Sequence, residues 1–418
     1  MKHIDFKPDF YDQFQCVGPQ CSDSCCTHWH IFVDQPTYEF MIYKSKLKDQ
    51  APQAFVRTPQ GSDYAEINLD EQKRCRLLDD EGWCLVHKLD GLEHLSNTCR
   101  LFPRKALHRG NSLTEHVLML SCPEVVRMLI QTPEMMVFDR LDTPEPQAFD
   151  ATDYHLYRRP HGYRTQLDWM HAVIDSDYSI EEKLYILSDG VTRLNKYVGH
   201  PPNFTSHLIA MAQSNYQEQQ VESFHQVKVN TNLQGYLYIH FLELLQGESY
   251  TSVMEKSPRL QALLDRLVAL FKQDERPITK IKKVLEQPPV SYHLYHQSRP
   301  WITSNYLLYR MYMDDVPSMT SGQFFYYFLY EFFYISTTLK LIAAEDVLTD
   351  EDVIWVIQSF HKSISGRTFV RLLDELDRDY KALTGQALKP LRLLAPCPFQ
   401  SKSRNKATLC ETDEGLKS

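Results

Sequence analysis

Apolar residues recur at spacings of three and four from about residue 166 onward, which is the period of a helix with one buried face. The pattern is clear in LDWMHAVIDSDYSIEEKLYIL and in LQGYLYIHFLELLQ, and it continues through residues 300–315, 321–345 and 350–380. We therefore predict that residues 166–395 form a helical domain.

Two local signals predict where helices in this domain begin. In SPRLQALLDRLVALFK, Ser257 stands at the N-cap and Pro258 at the first helical position, where a missing backbone N–H costs nothing. Thr349 is followed three residues later by Asp352, which predicts a capping box with aspartate in place of the usual glutamate.

The longest apolar stretch, Phe324 to Ala344, is long enough to raise the question of a membrane span. Glu331 lies well inside it and Lys340 near its end, and a charge within a bilayer is costly. We therefore predict a buried central helix and no transmembrane span, with peripheral membrane contact left open.

The first part of the chain lacks this periodicity. In residues 1–130, the predicted cysteine module, short apolar stretches alternate with turn residues, so we expect an irregular structure in which a metal replaces part of the hydrophobic core. Residues 131–165 contain several prolines and acids and predict a linker. Residues 396–418 predict a disordered tail. The expected fold is mainly α, with the irregular cysteine-cluster module packed on a multi-helix body.

Composition narrows the possible functions. The net charge of −9 over 418 residues argues against a general nucleic-acid binder, which needs a surplus of Lys and Arg on one face. The 14 glycines are few for a doubly wound nucleotide-binding fold, and no G-x-G-x-x-G follows a strand. The opening MKHIDFKPDF has no apolar run, so we expect no secretory signal and a cytoplasmic protein.

Cysteines carry the strongest chemical signal. Eight of the ten fall in the cysteine module and predict a metal or iron–sulfur site, because clustered thiolates are soft ligands for zinc and iron. The eight predicted ligands are Cys16, Cys21, Cys25, Cys26, Cys75, Cys84, Cys99 and Cys122. A disulfide framework is the alternative, but it is typical of short secreted chains.

The spacing does not separate a structural zinc from a [4Fe–4S] cluster, and His87 adds a possible imidazole ligand. The C-x3-C-x2-C pattern of radical enzymes is not met, since His28 occupies its third position. Arg100 follows Cys99 and is suited to shield a thiolate ligand. Cys397 and Cys410 stand alone, and we expect them to be free thiols.

The cysteine pattern resembles the iron- or zinc-chelating cysteine domain of many bacterial proteins. The residues that carry this resemblance are Cys16-x4-Cys21-x3-Cys25-Cys26, Cys75, Cys84 and Cys99-Arg100-x-Phe102-Pro103. Within that set, most of the chain resembles the flagellin lysine-N-methylase family. The further matching segments are Tyr11…Phe14-x-Cys16, Asn305-Tyr306-Leu307 and Gln358-Ser359-Phe360.

The resemblance implies an enzyme that uses S-adenosylmethionine to methylate the ε-amino groups of flagellin lysines in the cytosol, with iron and sulfur held by the cysteines. The reaction requires a deprotonated lysine, whose ordinary pKa is about 10.4. Tyr306, Tyr309 and Glu331 are candidate catalytic residues by residue type, and Asn305 and Arg310 are candidates for binding a cofactor carboxylate. Two alternatives stay open: an iron–sulfur redox protein without methyl transfer, and a zinc-stapled, non-enzymatic flagellin-binding protein.

Overall fold

A computed structural model describes most of the chain. The described residues are 4–8, 10–58, 64–109, 113–133, 163–197, 201–227, 229–272, 276–314, 316, 321–364 and 366–394. Most of the predicted linker at 131–165 and all of the predicted tail at 396–418 lie outside them, as do Cys397 and Cys410.

Helices dominate the described part of the chain, which confirms the predicted mainly-α fold. The helices are α1 Gln35–Tyr43, α2 Ala51–Ala54, α3 Leu85–Leu89, α4 Asn97–Leu101, α5 Pro123–Gln131, α6 Tyr163–Ile174, α7 Ile180–Asn195, α8 Pro201–Met211, α9 Ser214–His225, α10 Thr231–Gln246, α11 Thr251–Glu255, α12 Pro258–Phe271, α13 Pro277–Glu286, α14 Val290–Ser298, α15 Trp301–Met313, α16 Ser321–Ala343, α17 Asp350–Ser363 and α18 Arg367–Thr384. The strands are β1 Ile4–Phe6, β2 Phe32–Val33, β3 Phe55–Arg57, β4 Ala65–Ile67, β5 Arg104–Arg109 and β6 Leu113–Leu118.

The central element of the helical body is α16, the helix predicted from the long apolar stretch. It is buried along nearly its whole length and packs against α7, α13, α14 and α17. A helix that is apolar all round must be covered on every side, which explains its position. Across the described residues, no helix combines the length and apolarity that crossing a membrane would require.

The two predicted helix starts differ in how they are capped. Thr349 and Asp352 form the predicted capping box, each side chain bonding the other's backbone N–H. The helix predicted after Ser257 begins at Pro258, but the Ser257 hydroxyl does not cap it. That hydroxyl instead accepts a 2.7 Å hydrogen bond from Ser363 of α17. Because Ser257 is buried between the two helices, it joins them to each other.

The described residues contain two hydrophobic cores. The small core lies within residues 31–86, beside the antiparallel sheet β2–β4–β3. Its buried members are Ile31, Val33, Met41, Leu47, Ala51, Ala54, Ala65, Ile67, Cys75, Leu77 and Val86. The large core fills the helical body and extends to Phe10, Tyr11, Phe14 and α5. The cysteine module thus has an apolar core of its own, which the sequence pattern did not predict.

A second sheet ties the module to the helical body. Its order is β1–β6–β5, with β1 parallel and β5 antiparallel to β6. The Tyr309 hydroxyl donates a 2.5 Å hydrogen bond to the Leu118 carbonyl, and the Tyr312 hydroxyl donates one of 2.9 Å to His116. Residues 104–131 therefore pack with the large core, and the boundary at residue 130 stays a sequence-based prediction.

Candidate metal centre

Backbone pairing brings distant cysteines together. The Cys75 N–H donates a 2.8 Å hydrogen bond to the Cys26 carbonyl, beside an antiparallel bridge between Thr27 and Arg74. A further bridge pairs Leu78 with Cys84. Three cysteines spread over nearly sixty positions of sequence thus share one small region.

Three cysteines stand at the starts of helices. Cys84 and Cys122 occupy the N-caps of α3 and α5, and Cys99 lies in the first turn of α4. The backbone N–H groups of His87 and Val125 lower the pKa of Cys84 and Cys122 respectively, although burial outweighs them and neither thiol forms a capping hydrogen bond. These donors would stabilise thiolates, because an N–H aimed at sulfur favours its charged form.

Interactions between their charges divide the thiols into a group of four and a group of three, which are linked by Cys25 and by an interaction between Cys16 and Cys84. In the four-thiol group, every pair is close enough for its charges to interact; its members are Cys26, Cys75, Cys84 and Cys99. The three-thiol group has the same property; its members are Cys16, Cys21 and Cys122. Cys25 interacts with Cys16 on one side and with Cys26 and Cys99 on the other.

Burial keeps most of these thiols protonated. Burial, together with the charges of neighbouring thiols, raises the pKa of Cys75, Cys99 and Cys122 to about 12 each. Cys26 is the exception: a hydrogen bond from Cys25 lowers its pKa. A bound metal cation would favour the thiolate form of the buried cysteines, because the thiolate and not the thiol is the metal ligand.

The donor chemistry of the cysteine module fits a thiophilic metal or an iron–sulfur cluster. All eight described cysteines are free, and those whose thiols are perturbed lie within reach of each other's charges. Among the residues that the structure describes, no three His, Cys, Asp or Glu side chains already converge tightly enough to hold a metal ion. The predicted ligand set therefore remains a prediction.

A glycine holds the loop of the three-thiol group against the loop of Cys84. Gly18 adopts φ +57°, and a Cβ built on it would lie 2.4 Å from the Trp83 ring. Any side chain at this position would push the two loops apart. The Gly18–Trp83 contact therefore holds the loop of Cys16 and Cys21 beside the loop of Cys84.

The three-thiol group faces the helical body across a polar junction. Asp23, two residues after Cys21, accepts hydrogen bonds of 2.6 Å from Gln358 and 2.7 Å from Lys362, both on α17. Gln358 also donates a 3.0 Å bond to the Ser121 carbonyl, next to Cys122. The Asp23 carboxylate thus joins the three-thiol part of the cysteine module to α17 through two side chains.

The junction also contains buried polar atoms without partners in the described part of the chain: Arg259 Nε, Gln358 Oε1, Ser121 Oγ and His28 Nδ1. Burial lowers the pKa of Arg259, while the charges of Asp23, Glu351 and Cys21 raise it. The Arg259 guanidinium is thus close enough to Cys21 to interact with its charge. Unsatisfied buried donors and acceptors are costly, so ordered water or another group is expected to bond these atoms.

A second polar cluster lies deep in the helical body and contains three of the predicted site residues. Glu331 accepts a 2.5 Å hydrogen bond from Tyr306 and bonds of 2.8 and 3.2 Å from Arg310. His361 Nε2 lies 2.8 Å from the Tyr306 hydroxyl and 3.6 Å from Glu331 Oε1. We call Tyr306, Arg310, Glu331 and His361 the Glu331 network.

Burial and the neighbouring groups set the charge state of each residue in this network. Burial raises the pKa of Glu331, but Arg310, His361 and the hydrogen bonds outweigh it, so the pKa is lowered. Burial lowers the pKa of His361 to about 4, which keeps the imidazole neutral at pH 7. Burial, together with the charge of Glu331, raises the pKa of Tyr306 well above its ordinary range. The network therefore holds one buried ion pair between Arg310 and Glu331.

The other two predicted site residues lie elsewhere. The Tyr309 hydroxyl bonds the backbone of Leu118, and Asn305 donates a 2.9 Å hydrogen bond to the Thr132 carbonyl. Both tie α15 to the segment around α5 and β6. Sequence reasoning missed His361, although it directly follows the segment Gln358-Ser359-Phe360 that carried part of the family resemblance.

Comparison with known proteins identifies a family for the helical body. The profile of the FliB lysine N-methylase C-terminal domain matches residues 170–383, which is about half of the chain. A lysine-N-methylase of Salmonella choleraesuis is 25% identical over 85% of this chain and 90% of its own length.

Two further relatives agree. A lysine-N-methylase of Salmonella typhimurium is 24% identical over 85% of this chain and 90% of its own length. The flagellar biosynthetic protein FliU of Salmonella muenchen is 33% identical over 31% of this chain and 79% of its own length. No solved structure is significantly similar to this chain. The chain therefore belongs to the FliB lysine N-methylase family, a family of protein-lysine methyltransferases.

Proposed function

We propose that this enzyme transfers methyl groups from S-adenosylmethionine to lysine ε-amino groups of flagellin, and that its cysteine module holds a [4Fe–4S] cluster needed for activity. One observation carries the cluster part of the proposal: four free cysteines, distant in sequence, form a group in which every pair of thiols interacts. The methylase family of the helical body supports the reaction.

The four-thiol group supplies the ligands in this proposal. Four thiolates are the usual complement of a [4Fe–4S] cluster, and Cys26, whose pKa is already lowered, would be the first to ionise. The N–H groups at the start of α3 would support the Cys84 thiolate. The three-thiol group remains as the part of the module that faces the helical body.

When bound, the cluster would supply low-potential electrons, or an iron atom that can bind an amino nitrogen and a carboxylate oxygen. The chain's own residues set its surroundings. Arg259 places positive charge beside Cys21, and Lys362 pairs with Asp23 two residues further along, so both cations lie on the side of the three-thiol group. Asp23 holds Lys362 in place, so α17 contributes to the surroundings of the three-thiol group.

Methyl transfer itself balances without an oxidant. The lysine nitrogen forms a bond to the methyl carbon as the carbon–sulfur bond breaks, and the electron pair of that bond stays on sulfur. The lysine proton must leave first, because the ammonium form has no free electron pair. Aligning nitrogen, methyl and sulfur is the main contribution required of the protein.

The Glu331 network suits positioning better than proton removal. A carboxylate with a lowered pKa is a weak base, and Glu331 is only 2% exposed. The network instead locks α15, α16 and α17 to one another through charge-assisted hydrogen bonds. We therefore propose that Tyr306, Arg310 and Glu331 act as positioning residues, and that Tyr309 and Asn305 fix the sheet and α5 on α15.

Flagellin as the substrate rests on the flagellar name of one relative and on the family resemblance. Methylation before export would place the reaction in the cytoplasm. The net charge of −9 gives no support to a nucleic-acid partner.

The test is a methyl-transfer assay on the full chain purified without oxygen, with iron, sulfide and zinc measured in the same sample. We expect methyl-labelled S-adenosylmethionine to label flagellin, single-methyl steps in the intact flagellin mass, and about four irons and four sulfides per chain. Iron and sulfide with no label transfer would support a redox protein instead. Stoichiometric zinc and a stable, unmodified flagellin complex would support a binding protein.

A further inference from the structure

A cavity of about 530 Å³ opens in the helical body, apart from the cysteine module. It lies between the start of α7, helix α14, the start of α15 and the last turns of α16. Its volume falls within the range of ligand sites, on the order of 300–1,000 Å³. The Glu331 network belongs to another part of α16: Glu331 and Lys340 are separated by about 13.5 Å along the helix at 1.5 Å per residue.

Two buried ionisable side chains of opposite type, Glu181 and Lys340, line this cavity. Glu181 is 8% exposed and Lys340 is 9% exposed, and both line the cavity. Burial raises the pKa of Glu181, while the charge of Lys340 lowers it, so a cation bound beside Glu181 would favour the carboxylate form. In the described part of the chain neither side chain forms an ion pair. The Glu181 carboxylate accepts a hydrogen bond from its own backbone N–H, and the Lys340 ammonium lies 5.3 Å from the Tyr292 ring centre. Buried charges left apart are costly unless something between them satisfies both.

Other polar groups around the cavity continue the same pattern. Lys183 is also buried and forms no ion pair among the described residues, and the exposed Asp177 lines the cavity with it, so each sign of charge occurs twice. His296 adds a buried Nε2 atom with no described partner. Burial lowers the pKa of His296 to about 4, so the imidazole is neutral and can accept or donate a hydrogen bond without adding charge.

We infer that this cavity binds the zwitterionic head group of an α-amino acid, with the ligand ammonium on Glu181 and the ligand carboxylate on Lys340. An α-amino acid carries these two charges on one carbon, so it fits between two protein charges of opposite sign that do not touch. Two sources offer that head group: a free amino acid, and S-adenosylmethionine, which carries it at the end of its methionine part. The inference concerns the helical body alone and holds whether or not the cysteines bind iron.

The test measures binding to the full chain by calorimetry. The probes are the twenty amino acids, S-adenosylhomocysteine and, as a ligand without a carboxylate, cadaverine. We expect at least one zwitterion to bind, and cadaverine not to compete with it. Lys340→Met and Glu181→Gln each remove a charge while keeping volume. Each should weaken binding by between about tenfold and a hundredfold, the usual effect of losing one charge-assisted hydrogen bond.

Matched controls are Lys283→Met on α13 and Glu255→Gln on α11, both exposed positions away from the cavity. They should bind the zwitterion as the unchanged chain does, and thermal melts should show all four variants folded. Loss of S-adenosylhomocysteine binding in the two cavity variants would identify the methyl donor as the source. Loss of free amino-acid binding alone would identify a separate small-molecule site.

Two results would overturn the inference. One is that no probe binds. The other is that folded Lys340→Met and Glu181→Gln bind as tightly as the controls. If S-adenosylhomocysteine binding survived both cavity variants and disappeared only in Cys26→Ser, the methyl donor would lie at the cysteine centre. In that case the proposed function would stand and this inference would fail.

Discussion

The small core of the cysteine module and the large core of the helical body stabilise one chain in different ways. The small core is assembled from short strands and helices within residues 31–86, a length at which an apolar core alone gives marginal stability. The large core surrounds α16, a 23-residue helix that is buried on every side. Free thiols gather at the small core and an ion pair lies within the large one. The comparison teaches that a metal would add folding energy where apolar burial is scarce, while the helical body can bury charge because its core is large.

The largest effect is expected from removing one thiol of the four-thiol group. Cys75→Ser should abolish most iron binding and reduce methyl transfer by more than the roughly 10–100-fold that loss of an outer partner of a metal ligand costs. Proteolysis should then cut the region around residues 31–86 while the helical body stays intact. Iron analysis, labelled methyl transfer and limited proteolysis measure these effects. Cys410→Ser, outside the module, is the control, and equal iron in the two variants would contradict the proposed ligand set.

Breaking the buried ion pair should destabilise the helical body and spare the module. Glu331→Gln leaves Arg310 buried with only Asp314 as a charged partner, at 2.8 Å. We expect the free energy of unfolding to fall by about 3–5 kcal/mol, the usual cost of leaving one charge of a buried pair without its partner. Urea unfolding measures this, with the exposed Glu255→Gln as control. A change of less than about 1 kcal/mol would show that solvent already screens the pair.

The same network predicts how stability depends on pH. His361 has an ordinary pKa of 6.5 when unfolded and about 4 in the fold, so the unfolded chain binds its proton first. The stability from this group is complete above pH 6.5 and is lost as the pH falls towards 4. The loss amounts to about 3 kcal/mol at 1.36 kcal/mol per pKa unit. Urea unfolding from pH 7 to pH 4 measures it. His361→Asn should flatten the curve in this window, and an unchanged slope would contradict the assignment.

The smallest effect concerns the Gly18–Trp83 contact. Gly18→Ala must adopt φ +57° and collide with the Trp83 ring, so we expect a loss of about 1–2 kcal/mol and lower iron content. Gly385→Ala is a matched control, because Gly385 has φ +71° and open space around it. It should show a comparable strain without any loss of iron. Equal iron in both variants would mean that the contact does not set the spacing of the thiols.

Much of the helical body could be predicted from the sequence because its signals are local. Spacings of three and four located its helices, and the Thr349–Asp352 box marked the start of α17 as predicted. Ser257 shows the limit of such signals. Its position and residue type suit an N-cap, yet its hydroxyl accepts a hydrogen bond from Ser363, which is distant in sequence. Residue type alone made Tyr306, Arg310 and Glu331 candidate site residues. Their arrangement around His361 depends on how α15, α16 and α17 pack.

The sequence by itself determined the helical fold class, the cysteine-rich character of the first part and the family, because periodicity and motif spacing lie along the chain. Only the tertiary structure decided which thiols lie near one another, which residues join Glu331, and that Glu181 and Lys340 line one cavity with no ion pair to a described side chain. The physical reason is that these groups lie on different elements. Their distances follow from how helices and loops pack, and packing depends on the whole core rather than on neighbouring residues.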